Sequence, residues 1–281
     1  MTPDLNLYFE CSGFNGEATP VLPTLKAVHR AHVLAIPYEN LDVYLERRVD
    51  QDINRIFHKI VVQGRGGWCY EMNGLLGWAL REIGFNVTRR MAGVFRAEKG
   101  DEAFGNHLIH TAELGGTYVV DVGIGDFIKE PAFLRAGAFI EEGKSYQLER
   151  LADDSSRFHN MEGAMPPSFD FFYEGSNEGS NEVSDEARLG TTCSNLQSDP
   201  ESIFRQNLIC QQMTTRGFRS LVGRIYKDTA DGPAGVDGRL IESEEELHRI
   251  ITLSMGIRPP SLNGLWGKVC ARHEALFADK Q

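Results

Sequence analysis

Cys69 is the residue of this sequence best placed to act as a nucleophile. It follows a glycine-rich run, 64–67, and begins a stretch in which apolar residues recur at steps of three and four up to Gly84. That spacing predicts an amphipathic helix with Cys69 in its first turn. Unpaired N–H groups at a helix N-terminus favour a thiolate, so we predict a lowered thiol pKa. The glycines could also present backbone N–H groups to a substrate carbonyl.

A thiolate needs a histidine that moves protons and a carboxylate that orients it. The segment 107–122, interrupted by Gly115-Gly116, has the composition of a β-hairpin, and its second strand carries Asp121 among apolar residues. A charged residue there needs a partner. A two-residue glycine turn would place Asp121 opposite His110, whereas a three-residue turn or a bulge would favour His107. Hairpin geometry alone slightly favours His110.

Three successive parts of the chain are predicted to position these residues. Residues 1–85 read as a helical bundle that carries the nucleophile, and residues 86–190 read as a β-rich part that carries the histidine and the aspartate. Residues 191–281 read as a mixed α/β unit. We therefore expect boundaries near 85 and 190.

Several elements are predicted inside these parts. Helices are expected at 23–35 and 262–277, and between a capping box at Ser243 and Glu246 and a stop at Gly256. Segments 41–45 and 60–62 are strands or buried turns, which periodicity does not separate. Strands are expected at 87–97, 145–151, 169–173 and 220–226, with a turn at 232–238.

Composition limits the function. The 281 residues carry a net charge of -11 with a pI near 5.2, which opposes nucleic-acid binding. No apolar run approaches the roughly 18 residues needed to cross a membrane, and no export signal is visible at the N-terminus, so we expect a cytoplasmic enzyme. Five widely spaced cysteines without a C-x-x-C pair predict neither a disulfide framework nor a metal site.

Four ordered motifs resemble those of the arylamine N-acetyltransferases across nearly the whole chain. They are Arg65-Gly-Gly-Trp-Cys69, Ile36-Pro-Tyr-Glu-Asn-Leu-Asp42, the pair Asn106-His107-Leu-Ile with Val120-Asp121-Val-Gly-Ile-Gly125, and Leu247 to Ile257. The resemblance selects His107 over His110, and therefore implies a bulged strand or a longer turn.

The resemblance implies an α+β fold with an N-terminal helical bundle, an antiparallel β-barrel and a C-terminal α/β lid around a papain-like or transglutaminase-like core. It implies a ping-pong reaction in which Cys69 takes acetyl from acetyl-CoA and passes it to an arylamine or arylhydrazine, without a metal. His107 and Asp121 would complete the catalytic triad. The implied contacts are Tyr38, Val94 and Ile124 for the acceptor and Gly123 and Gly125 for the cofactor.

The sequence departs from the family pattern in two places near the site. Ile124 stands where an aromatic residue is usual and Asp126 where a small one is usual, so we expect a less aromatic pocket and an acidic group that could oppose the CoA phosphates. The repeated Glu-Gly-Ser-Asn in the acidic segment 174–190 has no assigned role. The alternatives are an amide synthase that closes a ring from a larger acyl thioester, a papain-like protease or transglutaminase, and a catalytically silent binding protein.

Overall fold

The computed structural model describes residues 2–173, 186–229 and 238–277. The acidic segment at 174–190 and the turn at 232–238 therefore lie mainly outside the described residues. The described helices are α1 (Leu5–Ser12), α2 (Leu22–Ala35), α3 (Leu41–Tyr44), α4 (Ile53–Phe57), α5 (Cys69–Ile83), α6 (Arg96–Lys99), α7 (Glu186–Ser198), α8 (Ile203–Gln206), α9 (Glu244–Arg249) and α10 (Leu265–Phe277). None of them is both long and apolar enough to cross a membrane.

The described strands form two antiparallel sheets, one of eight strands and one of five. The strands are β1 (Tyr38–Glu39), β2 (Asn86–Val94), β3 (His107–Glu113), β4 (Thr117–Val120), β5 (Ala132–Phe133), β6 (Gly137–Glu141), β7 (Lys144–Arg150), β8 (Ser156–His159), β9 (Ser168–Phe171), β10 (Ile209–Met213), β11 (Phe218–Val222), β12 (Ile225–Asp228) and β13 (Arg239–Leu240).

Helix α5 forms where the apolar spacing predicts it, with Cys69 in the first turn. The Glu71 carboxylate accepts a hydrogen bond from the Trp68 backbone N–H at 3.3 Å, which caps the N-terminus. Gly84 ends the helix in the left-handed conformation, at φ 103°. The apolar face of α5 packs with α1, α2 and α4 in one buried core cluster. The nucleophile is therefore carried by a rigid element.

The other helix predictions are confirmed with small shifts at their ends. Helix α2 matches the prediction for 23–35, and α10 begins three residues later than predicted. The Ser243 hydroxyl caps α9 by accepting from the Glu246 N–H at 3.2 Å, and a π-helical turn continues this helix to Ser254. The two segments left open are both helical: 41–45 contains α3, and 60–62 lies in a π-helical turn that follows α4.

The larger sheet has the order β5-β4-β3-β2-β9-β8-β7-β6. Strands throughout this sheet, including those near its two edges, contribute side chains to a single buried cluster. The sheet therefore curls around its own core. That core is rich in aromatic rings packed edge-to-face or stacked, among them Phe127, Tyr146, Phe158 and Phe169. Strand β2 ends at Val94, three residues earlier than predicted, because α6 follows it.

The β3–β4 hairpin decides which histidine can meet Asp121. The two strands pair in a register that leaves a three-residue loop, 114–116. The two-residue glycine turn is therefore wrong. Because side chains alternate between the faces of a strand, the extra loop residue places His107 on the same face as Asp121 and His110 on the opposite face.

The smaller sheet joins the start of the chain to its C-terminal part, in the order β1-β10-β11-β12-β13. Strand β1 pairs with β10 on one side, and Tyr38 forms a parallel bridge with Gly67 of the nucleophile loop. The single strand predicted at 220–226 is wrong, because β11 and β12 form a hairpin that turns at Gly223. A division of the chain near 85 and 190 stays a prediction.

Candidate active site

The loop before Cys69 is held by buried ion pairs. The Arg65 guanidinium donates to the Glu39 carboxylate at 2.7 and 2.9 Å and to Asp42 at 3.1 Å. A side chain at Gly66 would bring its Cβ within 2.0 Å of the Pro37 carbonyl oxygen, so only glycine fits. These contacts fix the loop against β1.

The backbone N–H groups of this loop are already engaged in part. The Gly67 N–H, predicted to face a substrate carbonyl, donates to the Pro37 carbonyl oxygen at 3.4 Å. The Trp68 N–H donates to Glu71. The glycines therefore serve close packing of the loop, and Gly67 is not free to stabilise an oxyanion in this conformation.

Cys69 is almost completely buried, with 3% of its surface exposed. Burial raises the pKa of the Cys69 thiol well above its ordinary value, and backbone hydrogen bonds from Leu108 and Tyr70 only partly oppose this. The prediction that the helix N-terminus gives a lowered thiol pKa is therefore wrong. A thiolate at this position requires a neighbouring base that accepts its proton.

His107 and Asp121 form the pair that the chemistry requires. The His107 Nε2 lies 2.8 Å from the Asp121 Oδ2, and both side chains are buried. Burial disfavours the Asp121 carboxylate, but the His107 ring and hydrogen bonds from Asn73 and Gly123 hold its pKa below the ordinary value. Because Nε2 bonds to Asp121, Nδ1 is the ring nitrogen left for proton exchange.

Asn73 is a site residue to which sequence reasoning gave no role. Its Nδ2 donates to the Asp121 Oδ1 at 2.8 Å and to the Leu108 carbonyl at 2.6 Å, while its Oδ1 accepts from the Val122 N–H at 3.0 Å. It joins α5 to β3 and to the residues that follow β4. The signal that could have revealed it is its position four residues after Cys69, on the same face of the helix.

His110 is packed away from this pair, against α5. An added Cβ on Gly77 would lie 2.2 Å from the His110 Nε2, and neither ring nitrogen has a hydrogen-bond partner among the described residues. Burial, with Arg89 and Arg81 nearby, lowers the pKa of His110 to about 3. His110 is therefore a neutral core residue.

Two buried neutral histidines make the stability depend on pH. Burial also lowers the pKa of His32 to about 3, as it does for His110. Below about pH 6.5 the unfolded chain binds these protons and the folded chain does not, so the free energy of unfolding falls by about 1.4 kcal/mol per pH unit for each ring until about pH 3. Urea unfolding at pH 5 and pH 7 measures this loss.

The matched variant His110→Leu isolates one of these contributions. We expect the difference in unfolding free energy between pH 7 and pH 5 to be smaller in His110→Leu than in the wild type by about 2 kcal/mol. An identical pH dependence in both proteins would contradict a buried neutral His110.

The five residues assigned by resemblance lie in different parts of the structure. Tyr38 belongs to the same buried cluster as Cys69, whereas Val94 and Ile124 belong to the core of the larger sheet. An added Cβ on Gly123 would lie 2.9 Å from the Cys69 Cα, and one on Gly125 would lie 2.2 Å from the Gln211 Oε1. Both glycines therefore permit close packing, and contact with a cofactor stays a prediction for them.

Asp126 does not present a free negative charge. The Lys144 ammonium donates to its carboxylate at 3.0 Å, and the carboxylate is mostly buried. Burial raises the pKa of Asp126 against the effect of Lys144. The expected repulsion of anionic phosphates is therefore reduced by this ion pair.

Residues 2–173, 186–229 and 238–277 contain no group of three or more His, Cys, Asp or Glu side chains arranged to hold a metal ion. What they contain is a buried cysteine at a helix N-terminus and a histidine–aspartate pair beside it, an arrangement suited to acyl transfer through a thioester.

Comparisons with known proteins show the family to which the chain belongs. The family model described as N-acetyltransferase matches residues 21–259. A pineal gland isozyme of arylamine N-acetyltransferase from Gallus gallus is 30% identical over 271 residues, which are 86% of this chain and 90% of that protein. The chain belongs to the arylamine N-acetyltransferase family. This membership confirms the resemblance and makes the protein an acyltransferase.

Solved structures of arylamine N-acetyltransferases agree in fold. The M. smegmatis enzyme has a TM-score of 0.79 at 29% identity, with 96% of this chain and 97% of that chain covered. The Mycobacterium marinum enzyme in complex with CoA has a TM-score of 0.82 at 24% identity, with 96% and 98% covered. The predicted α+β class of this arylamine N-acetyltransferase is confirmed, with the curled sheet in the position of the expected barrel.

Proposed function

We propose that this protein transfers acetyl from acetyl-CoA to the amine of an arylamine or arylhydrazine through a thioester on Cys69. The observation that carries the proposal is the 2.8 Å contact between His107 Nε2 and Asp121 Oδ2, next to Gly123, whose N–H donates to Asp121 and whose backbone packs against Cys69. The names of the relatives and the CoA complex of the M. marinum enzyme support the substrate classes.

In the first half-reaction His107 takes the Cys69 proton at Nδ1, since its other nitrogen faces Asp121. The Cys69 sulfur attacks the acetyl carbonyl, and the bond between that carbonyl and the CoA sulfur breaks. His107 then returns its proton to the departing CoA thiolate. Asp121 stabilises the imidazolium while it carries the proton, without taking the proton itself.

In the second half-reaction the acceptor amine attacks the thioester carbonyl. His107 removes a proton from the amine, and Cys69 leaves as a thiolate that recovers its proton. Tyr38, in the buried cluster of Cys69, and Ile124 and Val94, in the neighbouring sheet core, would contact the acceptor ring. These side chains suit an apolar acceptor ring better than a charged group.

The amide-synthase alternative has no support from the relatives described above, which are named arylamine N-acetyltransferases. A silent scaffold is disfavoured because Cys69, His107 and Asp121 are all present and buried together.

Initial rates test the proposed sequence of half-reactions. Acetyl-CoA is varied at several fixed concentrations of an arylhydrazine, and double-reciprocal plots are drawn. We expect parallel lines, because the free acetylated enzyme separates the two substrates. Intersecting lines would indicate a ternary complex and contradict the release of CoA before the acceptor reacts.

A further inference from the structure

The imidazole of His29 joins the two ends of the loop that carries Asp121. His29 lies on α2 and is completely buried. Its Nδ1 is 2.8 Å from the Lys129 carbonyl oxygen, and its Nε2 is 3.1 Å from the Asp121 carbonyl oxygen. One side chain outside the loop therefore contacts the backbone at both ends of the segment 121–129.

This segment contains most of the candidate site that does not lie on α5 or β3. It begins at Asp121 and includes Gly123, which packs against Cys69, and Ile124. It has little regular structure of its own, since β4 ends at Val120 and β5 begins at Ala132. Its shape must therefore come from side chains that hold its backbone.

The His29 ring can hold the backbone of this loop because its nitrogens can donate hydrogen bonds, whereas carbonyl oxygens only accept them. A neutral imidazole donates from one nitrogen and so satisfies one of the two carbonyls, whereas an imidazolium donates to both. Burial lowers the pKa of His29, while the Lys129 and Asp121 carbonyls and the charges of Asp121 and Glu130 oppose this lowering. In either protonation state the ring nitrogens remain between the two carbonyls.

We propose that His29 is a positioning residue for Asp121: by bridging the carbonyls of Asp121 and Lys129 it closes the 121–129 loop and holds the carboxylate against His107. The inference rests on the proposed function of the Cys69, His107 and Asp121 site. It assigns to α2 a part in the chemistry, although α2 contributes no residue to the triad.

The expected consequence lies in the ionisation of Cys69. If the loop relaxes, Asp121 stabilises the His107 imidazolium less well, so less thiolate is present at neutral pH. A displacement of about 1 Å of a catalytic group can cost about 100-fold in rate. We therefore expect loss of the His29 bridge to slow reactions of Cys69 by about 10- to 100-fold at pH 7.

The test measures alkylation of Cys69 by iodoacetamide from pH 5 to 9, followed by peptide mass spectrometry. His29→Phe keeps an aromatic ring without nitrogen, and His29→Gln keeps one nitrogen, in an amide NH2 group. The matched control is His32→Phe, because His32 is equally buried on the same helix but bonds to the Tyr8 hydroxyl. Thermal unfolding of each variant records the purely structural cost.

We expect the pH at which alkylation rises to move upward in His29→Phe, to move less in His29→Gln, and to stay at the wild-type value in His32→Phe. A wild-type profile in His29→Phe, or the same shift in both Phe variants, would overturn the inference. If His29→Phe does not fold, His29→Gln decides, because its single amide nitrogen cannot occupy both positions that the ring nitrogens hold, and an unchanged profile would overturn the inference.

Alkylation of Cys69 needs no acetyl-CoA. The experiment can therefore contradict the positioning role of His29 without contradicting the proposed acetyl transfer, and the reverse. A wild-type protein that acetyl-CoA does not acetylate, with alkylation that depends on His29, would overturn the proposed function and support the positioning role. An acetylated wild type with His29 variants that match His32→Phe would overturn the positioning role alone.

Discussion

We expect that replacing Cys69 with serine will abolish turnover and leave the fold intact. In the proposed mechanism the sulfur attacks in the first half-reaction and is the leaving atom in the second, and a serine hydroxyl is far harder to deprotonate than a thiol in the same buried position. We expect the rate of arylhydrazine acetylation to fall by more than about 1000-fold. Because serine is nearly isosteric with cysteine, the midpoint of thermal unfolding should stay within a few degrees of the wild-type value, about the effect of 1 kcal/mol.

Cys193 offers the matched control for this experiment. It is a second buried cysteine, on α7, and belongs to the same core cluster as Cys69. Cys193→Ser should therefore carry a similar structural cost and keep most of the activity. Substantial activity in Cys69→Ser, or equal losses in the two variants, would contradict the role of Cys69 as nucleophile.

The second prediction with a large expected effect distinguishes the roles of the two histidines of the hairpin. His107→Ala removes the base that accepts the Cys69 proton, and it leaves the buried Asp121 carboxylate without its 2.8 Å partner. We expect activity to fall by more than about 1000-fold. His110→Ala creates a cavity beside Gly77 but touches no reacting group, so we expect lower thermal stability with activity within about threefold of the wild type.

Activity and circular dichroism of both variants are measured at 20 °C, below their unfolding transitions. A larger loss of activity in His110→Ala than in His107→Ala, with both proteins folded, would reverse the assignment. It would also contradict the three-residue hairpin loop on which the assignment depends.

Helix α5, which carries Cys69, could be predicted because the residues that determine it lie close together in the sequence. The apolar spacing, the glycines before Cys69 and the stop at Gly84 all lie within residues 64–84, and α5 forms where they predict it. The register of the β3–β4 hairpin could not be predicted from neighbouring residues in the same way. Gly115-Gly116 looks like a complete turn, yet the register includes Leu114 in the loop, and this one residue exchanges the faces of His107 and His110.

Other features of the site depend on contacts between distant segments. Burial determines the thiol pKa of Cys69, and burial follows from how the hairpin and α7 pack on α5, which the helix sequence does not contain. Asn73 acquires its role only when Asp121 comes within 2.8 Å of it. The hairpin at Gly223 escaped prediction because apolar residues continue on both sides of the turn and resemble one strand.

The mass of the intact protein after mixing with acetyl-CoA, in the absence of an acceptor, tests the covalent mechanism most directly. We expect one added acetyl group, located on Cys69 by peptide mapping, absent from Cys69→Ser, and lost when an arylhydrazine is added. A folded wild-type protein that gains no acetyl group, or gains one that the arylhydrazine does not remove, would contradict the mechanism.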